Sequence, residues 1–247
     1  MENDDVIEKL VKQSAKDAFN LLACKGCDKC LIYPYSNKKE GIRCSEQELK
    51  QLFIENLCRN NNDSDSNKFF YSVETPTVYE YSFTKGNENK PKIKKRGEKS
   101  DGQNYISARI DLSLYQNNDV NNSKYHIEFK NDQPDKFDIS KDILKLIAEG
   151  NNSKNYFIHI ICRNGDKIRN DTKESLKEKF INAYINAKHE TNSNYKQHKV
   201  TVYVIYICNY ICKDKAKLFI EKKVFNPNNI YEPEKDKMED WEEIKFD

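Results

Sequence analysis

The sequence predicts an α/β fold in which helices flank a mixed β-sheet, and three features of the chain indicate this class. Segments with helical and with strand-like periodicity alternate along the chain, as is typical of α/β proteins. Residues 107–115 and 125–130 alternate apolar with polar side chains, as expected for a hairpin with one buried face. Residues 156–162 form an apolar run, which is typical of a strand buried on both faces.

The remaining elements follow from local periodicity. Apolar residues at helical spacing predict helices at residues 5–24, 45–60, 139–149 and 173–187. Further strands are predicted at residues 69–73, 78–83, 200–208 and 217–225. Pro76 separates the first two strands because it cannot donate a main-chain hydrogen bond. Residues 85–103, rich in Lys, Asn and Gly, predict a mobile loop.

We divide the chain into three parts by composition and by the order of elements. Residues 1–44 are predicted to form an N-terminal helix and a Cys-rich loop, residues 45–225 the main domain, and residues 226–247 a charged tail. A length of 247 residues is enough for one domain with a sizeable core.

The charge balance by itself points to no particular class of partner. The chain has 42 Lys and Arg against 40 Asp and Glu, a net charge of +2 that gives no strong argument for a polyanion and none for a membrane surface. No apolar run approaches the roughly 18 residues needed to cross a bilayer. The first five residues are acidic where a signal peptide would be basic, so we expect a cytoplasmic protein.

Three residues on the predicted hairpin carry the candidate chemistry. With strand periodicity, Asp111 lies on one face of its strand, and Glu128 and Lys130 share one face of the next. If the strands pair, the two carboxylates and the amine converge on one side of the sheet. Paired carboxylates suit a hard cation such as Mg²⁺ or Mn²⁺, and a neighbouring Lys can reach a metal-bound water or a phosphate.

The arrangement of Asp111 and Glu128-Phe129-Lys130, with a helix and a buried strand following, resembles the PD-(D/E)XK nuclease superfamily. The resemblance extends over residues 45–162 and implies a restriction-endonuclease-like α-β-β-β-α-β core, to which this chain adds the N-terminal helix and Cys-rich loop. It implies that Asp111, Glu128 and the Phe129 carbonyl bind Mg²⁺ or Mn²⁺ and that Lys130 assists the attacking water. Ile110 stands where the motif has Pro, which many members lack.

The superfamily often adds a Glu from its first core helix, and helix geometry favours Glu46 over Glu48. Glu46 lies on the helix stripe of Leu49, Phe53 and Leu57. Glu48 falls off that stripe and is explained as the partner of Ser45 in a capping box.

Two lysines follow on the next helix, four residues apart. Lys141 and Lys145 would contact nucleic-acid phosphates beside the site, or would form a solvated helix face in a Lys-rich chain. The sequence leaves both alternatives open.

Eight cysteines in a chain without a signal peptide predict reduced thiols or metal ligands. Four of them are close enough in sequence for a Zn²⁺ or iron–sulfur site, although unligated thiols are the alternative: Cys24, Cys27, Cys30 and Cys44. The others are predicted to be core or strand residues: Cys58, Cys162, Cys208 and Cys212.

The function expected from these residues is hydrolysis of phosphodiester bonds by a divalent-metal-dependent nuclease. The resemblance favours a DNA endonuclease of restriction or phage-defence type, with DNA rather than RNA as substrate and with a homodimer or a defence-complex partner supplying specificity. The alternative is a catalytically inactive nuclease-like module for nucleic-acid binding or assembly. A third hypothesis is an interaction protein organised by Zn²⁺ at its N-terminal cysteines.

Overall fold

The computed structural model describes residues 4–23, 31, 45–61, 68–83, 90–99, 101–116, 123–132, 134–149, 154–163, 170–191, 195–210, 212–231 and 241–246. Within these ranges the helices are α1 (Asp4–Leu22), α2 (Glu46–Asn60), α3 (Lys136–Ala148) and α4 (Asn170–Thr191). The strands are β1 (Phe69–Ser82), β2 (Lys92–Lys94), β3 (Ile106–Gln116), β4 (Ser123–Asn131), β5 (Lys154–Arg163), β6 (Val200–Cys208), β7 (Lys217–Phe225) and β8 (Glu242–Ile244).

All eight of these strands join one mixed sheet, in the order β2-β1-β3-β4-β5-β6-β7-β8. The central strands β4, β5 and β6 run parallel to one another, and every other neighbouring pair is antiparallel. α3 connects β4 to β5 and α4 connects β5 to β6, since parallel neighbours need a crossover. The predicted α/β class with a mixed sheet flanked by helices is confirmed.

The helices cover both faces of the sheet, so the protein has three layers. On one face, α1 and α2 pack on side chains such as Ile127 and Ile158. On the other face, α3 and α4 pack on side chains such as Phe157 and Ile161. Consecutive β5 residues therefore enter opposite cores, which explains why that strand is apolar along most of its length.

The two ends of the chain share the first of these cores. Ile7 and Leu10 of α1 are buried in the same cluster as Leu49 of α2. Ile244 of β8 is buried there as well, and β8 pairs with β7. Trp241 lies against Phe180 of α4, with 6.2 Å between the ring centroids.

The prediction of two strands separated at Pro76 is wrong, because β1 is a single strand of 14 residues. Pro76 pairs with Arg109 of β3, and the register shifts between Pro76 and Glu80. The shift leaves main-chain groups that the ladder does not use, and the Glu149 carboxylate accepts the N–H groups of Val78 and Tyr79 at 2.9 and 3.1 Å. Among the described strands, β2 pairs with β1 at Glu80–Ser82 and no other strand lies beside Pro76 on that edge, where Pro is tolerated.

Two other local predictions need correction. Residues 85–103 contain β2, which is ordered against β1 through a buried Ile93. Ser45 is the N-cap of α2 as predicted, but its side chain makes no capping hydrogen bond, so the capping box with Glu48 is wrong.

No helix in the described ranges has the length and apolar character needed to span a bilayer.

Candidate active site

The candidate site lies where strands β3 and β4 part. The last ladder pair on this side is Leu112 with Ile127. Asp111 and Glu128 are the next residues on their strands, so the end of the ladder places the two acidic residues on either side of one gap. The predicted pairing of the two strands is confirmed, and their ladder brings together residues 17 positions apart in the chain.

Asp111 bridges the gap instead of continuing the ladder. Its Oδ2 accepts the main-chain N–H of Phe129 at 2.9 Å. Its Oδ1 lies 3.8 Å from Nζ of Lys50 on α2. Because N–H and C=O of one strand residue point to the same edge, the Phe129 carbonyl also faces this gap.

Glu128 is almost fully buried, at 1% exposure, and it faces α3. The Nζ atom of Lys145 lies 2.6 Å from its Oε1. The same ammonium lies 2.8 Å from Oδ1 of Asp142 and donates to the Arg109 carbonyl, also at 2.8 Å. Lys145 is therefore an internal cation surrounded by three oxygen atoms.

Lys130, two residues beyond Glu128, is held by carboxylates from both helical layers. Its Nζ lies 2.9 Å from Oδ2 of Asp142 on α3 and 3.8 Å from Oε2 of Glu46 on α2. Asp142 thus uses one oxygen for Lys130 and the other for Lys145. Its bridging position fixes the distance between the two ammonium groups.

Glu46 belongs to the first turn of α2 and reaches the site from the opposite layer to Asp142. Its contact with Lys130 places it beside the predicted catalytic lysine, which agrees with the helix-stripe argument for its orientation. Glu48, by contrast, has one buried carboxylate oxygen with no hydrogen-bond partner in the described part of the chain.

Burial sets the protonation properties of the acids. Burial raises the pKa of Glu128 well above its usual value, with Lys145 opposing this and Asp142 adding to it. Burial also raises the pKa of Glu46, against the attraction of Lys130. For Asp142, burial favours the neutral form, but Lys145 and Lys130 outweigh it and the pKa falls below its usual value.

Burial shifts the pKa values of the lysines in the opposite direction from those of the acids. Burial lowers the pKa of both Lys130 and Lys145, but the neighbouring carboxylates, Asp142 foremost and then Glu46 or Glu128, together outweigh it, and both pKa values end above the usual one. The site therefore joins three ammonium groups, including Lys50, to four carboxyl groups: Glu46, Asp111, Glu128 and Asp142.

The oxygen atoms at the gap could bind a divalent cation, but they provide few ligands. Asp111, Glu128 and the Phe129 carbonyl are hard oxygen donors on one gap, as Mg²⁺ or Mn²⁺ requires. In the described ranges, no group of three or more His, Cys, Asp and Glu side chains is arranged to hold a metal ion. A metal here would have two side-chain ligands and a main-chain carbonyl, with Lys145 as the neighbouring competitor for Glu128.

The structure separates the two lysines that the sequence grouped together. Lys145 is 9% exposed at its side chain and turns into the site, away from a solvent phosphate. Lys141 is more exposed and pairs with Asp138, 2.9 Å away. Phosphate contact stays a prediction for both lysines, and the greater exposure of Lys141 makes it the better placed of the two.

Sequence reasoning missed Asp142 and Lys50. A signal for Asp142 was available, because Asp142 lies one turn before Leu146 and borders the buried apolar arc of α3 that contains Ile139, Ile143 and Leu146. Charged residues on such an arc are buried only when they are paired. For Lys50, the sequence contains no comparable signal.

The N-terminal cysteines lie outside the described residues: Cys24, Cys27, Cys30 and Cys44. Of the other four, Cys162 and Cys208 are buried on β5 and β6 as predicted. Cys58 and Cys212 are exposed, so the prediction of core positions is wrong for them.

No protein-family model, curated protein or solved structure matches this chain. The motif and the geometry of the site are therefore the features that bear on function.

Proposed function

We propose that this protein is a divalent-metal-dependent nuclease of the PD-(D/E)XK type. The observation that supports it is the convergence of Asp111, Glu128, Lys130 and Glu46 at the gap between β3 and β4. The order of α2, β1, β3, β4, α3 and β5 also agrees with the α-β-β-β-α-β core of that superfamily. We further propose DNA as the substrate and restriction or phage defence as the setting.

Each residue has a role in this proposal. Asp111, Glu128 and the Phe129 carbonyl would hold Mg²⁺ or Mn²⁺, which supplies Lewis-acid stabilisation of the phosphate and a water of lowered pKa. Lys130 neutralises charge that grows on the scissile phosphate and orients the attacking water. Asp142 and Glu46 hold the Lys130 ammonium in place, and Lys145 balances the charge of Glu128.

Cleavage assays with paired variants test the proposal. Plasmid, linear and single-stranded DNA, and RNA, are incubated with the protein in Mn²⁺, in Mg²⁺ and in EDTA. We expect DNA cleavage with metal alone, and a loss of at least about 100-fold in Glu128→Gln and Lys130→Met. The controls are Glu221→Gln and Lys94→Met, because both side chains form ion pairs away from the site and Lys94 is about as exposed as Lys130. Equal cleavage by wild type and both site variants overturns the proposal.

One feature favours the second candidate, a catalytically inactive nuclease-like binding or assembly module. Lys145 neutralises Glu128, and the Phe129 N–H binds Asp111, so the two proposed ligands have protein partners already. Calorimetry with Mn²⁺ separates the candidates. Nucleic-acid binding without Mn²⁺ binding or cleavage supports the module.

A further inference from the structure

The outer edge of β1 carries no second strand along its first half in the described part of the chain. The sheet order places β1 between β2 and β3, and β2 pairs with it at Glu80–Ser82. None of the described strands lies beside residues 70–76 on that side, and we call this segment the free edge. A strand edge of this kind presents main-chain N–H and C=O groups with which another chain can pair.

The side chain of Asn61 shows which main-chain groups point outward. Its Oδ1 accepts the Phe69 N–H at 3.0 Å, and its Nδ2 donates to the Phe69 carbonyl at 2.7 Å. The Asn61 amide thus takes the place of a neighbouring strand at this residue. Because alternate residues of a strand direct their main-chain groups to the same edge, those of Tyr71 and Val73 also point outward. Glu74, with a φ of 52°, ends this regular stretch.

The side chains of the free edge are apolar and well exposed. Phe70, Tyr71 and Val73 are 37%, 45% and 48% exposed. By strand alternation, Phe70 lies on one face of the sheet and the other two lie on the opposite face. A cavity of about 550 Å³ adjoins them, and its lining includes Cys58, Phe70 and Tyr71. Apolar side chains grouped beside unpaired main-chain groups are typical of an interaction surface.

The free edge is complementary to a second copy of itself. If two β1 strands run antiparallel about a two-fold axis at Ser72, Tyr71 of each copy lies opposite Val73 of the partner subunit. This register uses both outward residues of each copy, with two main-chain hydrogen bonds for each such pair. It also forms aromatic pairs with a β-branched side chain, which stabilise sheets. A register centred on Tyr71 would instead need the Phe69 groups that Asn61 occupies.

The charges beside the free edge favour the same arrangement. Lys68 and Glu74 are the charged residues of the segment 68–76. In the register centred on Ser72, Lys68 lies diagonally across from Glu74 of the partner subunit, within reach of long side chains. Neither residue faces its own counterpart, so like charges stay apart.

We propose that two copies of this chain associate through their β1 edges and form one sheet that is continuous across a two-fold dimer. The same surface of each subunit meets itself, as a two-fold axis requires. The gap between β3 and β4 lies on the far side of β3, so this interface does not cover it. Dimer formation therefore does not depend on the proposed nuclease activity.

Sedimentation velocity of the full chain between about 1 and 100 µM tests the association. We expect a concentration-dependent change from the mass of one chain to the mass of two. Val73→Lys places a charge against Tyr71 of the partner subunit and should raise the dimer Kd at least about 10-fold. Val224→Lys on β7 is the control, because Val224 is 46% exposed, and it should leave the Kd unchanged. Both variants should keep the urea midpoint of the wild type, since both side chains are half exposed.

Cross-linking tests the register. Directly opposed residues of this kind have Cα atoms about 4.5 Å apart, which a disulfide can span. Ser72→Cys should therefore give a disulfide between two copies when diamide oxidises the dimer. Thr75→Cys is the control, because Thr75 is half-buried like Ser72 but would lie about 20 Å from its counterpart. Peptide mass spectrometry distinguishes a bond at residue 72 from bonds of the native cysteines.

A single-chain mass over the whole concentration range overturns the proposal. A dimer that Val73→Lys and Val224→Lys weaken equally also overturns it, because the contact would then lie elsewhere. Cross-linking of Thr75→Cys without cross-linking of Ser72→Cys contradicts the register. Since none of these measurements uses metal or cleavage, their failure is distinct from failure of the proposed nuclease.

Discussion

The Nζ atom of Lys145 lies 2.6 Å from Oε1 of Glu128, and the two side chains are 9% and 2% exposed. A buried charge that loses its partner is costly, whereas removal of both partners can be nearly neutral. This ion pair links the proposed metal ligand to the helix that also carries Asp142.

A double-mutant cycle measures this link. Lys145→Met and Glu128→Gln should each lower the free energy of unfolding, with Lys145→Met costing about 3–5 kcal/mol because it leaves a buried carboxylate unpaired. The double variant should lose less than the sum of the two changes. Urea denaturation measures all three. The more exposed pair of Lys94 and Glu80 is the control, with single losses of about 0–1 kcal/mol. Additive losses for Lys145 and Glu128 would contradict the coupling.

Asp142→Asn should lower the pKa of Lys130, since the Asp142 carboxylate is the largest contribution that raises it. A lower pKa leaves more neutral amine, so acylation of Lys130 at pH 9 should become faster. Peptide mass spectrometry after brief labelling measures the rate at this single lysine. Asp138→Asn on the exposed face of α3 serves as the control and should leave the rate unchanged. Unchanged labelling in Asp142→Asn would show that Asp142 does not control Lys130.

Asp111→Asn should remove metal binding while preserving the fold. The Asn oxygen can still accept the Phe129 N–H, but the negative charge that a divalent ion needs is lost. We expect Mn²⁺ affinity to fall at least about 10-fold by calorimetry. The midpoint of urea unfolding should move little. Retained Mn²⁺ affinity would exclude Asp111 as a ligand.

Two buried histidines should make the protein less stable in acid. Burial lowers the pKa of His126 to about 4 and that of His159 to about 3, below the ordinary value of 6.5. Between pH 6 and pH 4 the unfolded chain therefore binds more protons than the folded one. Each buried histidine should cost up to about 1.4 kcal/mol of stability per pH unit as the pH falls through this window.

Urea unfolding at pH 7, 5.5 and 4.5 measures this acid dependence. His159→Gln, which can still donate to the Asp132 carbonyl, should reduce the slope by the share of one histidine. His189→Gln is the control because His189 is exposed at the end of α4. A slope that is the same in all three proteins would rule out the buried histidines as its cause.

Elements with a strong periodic pattern could be predicted from the sequence. The bounds of β6 and β7 agree with the predicted residues 200–208 and 217–225. The apolar residues of both strands recur at strand spacing, and this spacing can be read from neighbouring residues alone. Pro76 misled the prediction, because a missing main-chain N–H interrupts a strand only where a neighbouring strand would need that donor. No described strand takes that place along this half of β1, and the sheet order reveals this where the local sequence does not.

Part of the candidate site could also be predicted from the sequence. Asp111, Glu128 and Lys130 follow from strand alternation and from the resemblance, and Glu46 follows from its helix stripe. The environment of Lys145 did not follow, because its spacing from Lys141 is compatible with a solvated face. Packing of α3 on the sheet places Lys145 against Glu128 instead.

The amino-acid sequence by itself determined the α/β class, most of the strands and helices, and the three residues of the motif, because period-two and helical patterns are local properties. The tertiary structure alone decided that Asp142 bridges Lys130 and Lys145, that the ladder between β3 and β4 ends beside Asp111, and that no described strand lies beside the free edge of β1. These relationships depend on how separate elements pack, and the two contacts of Lys130 arise because α2 and α3 pack on opposite faces of one sheet. No local pattern encodes such distances.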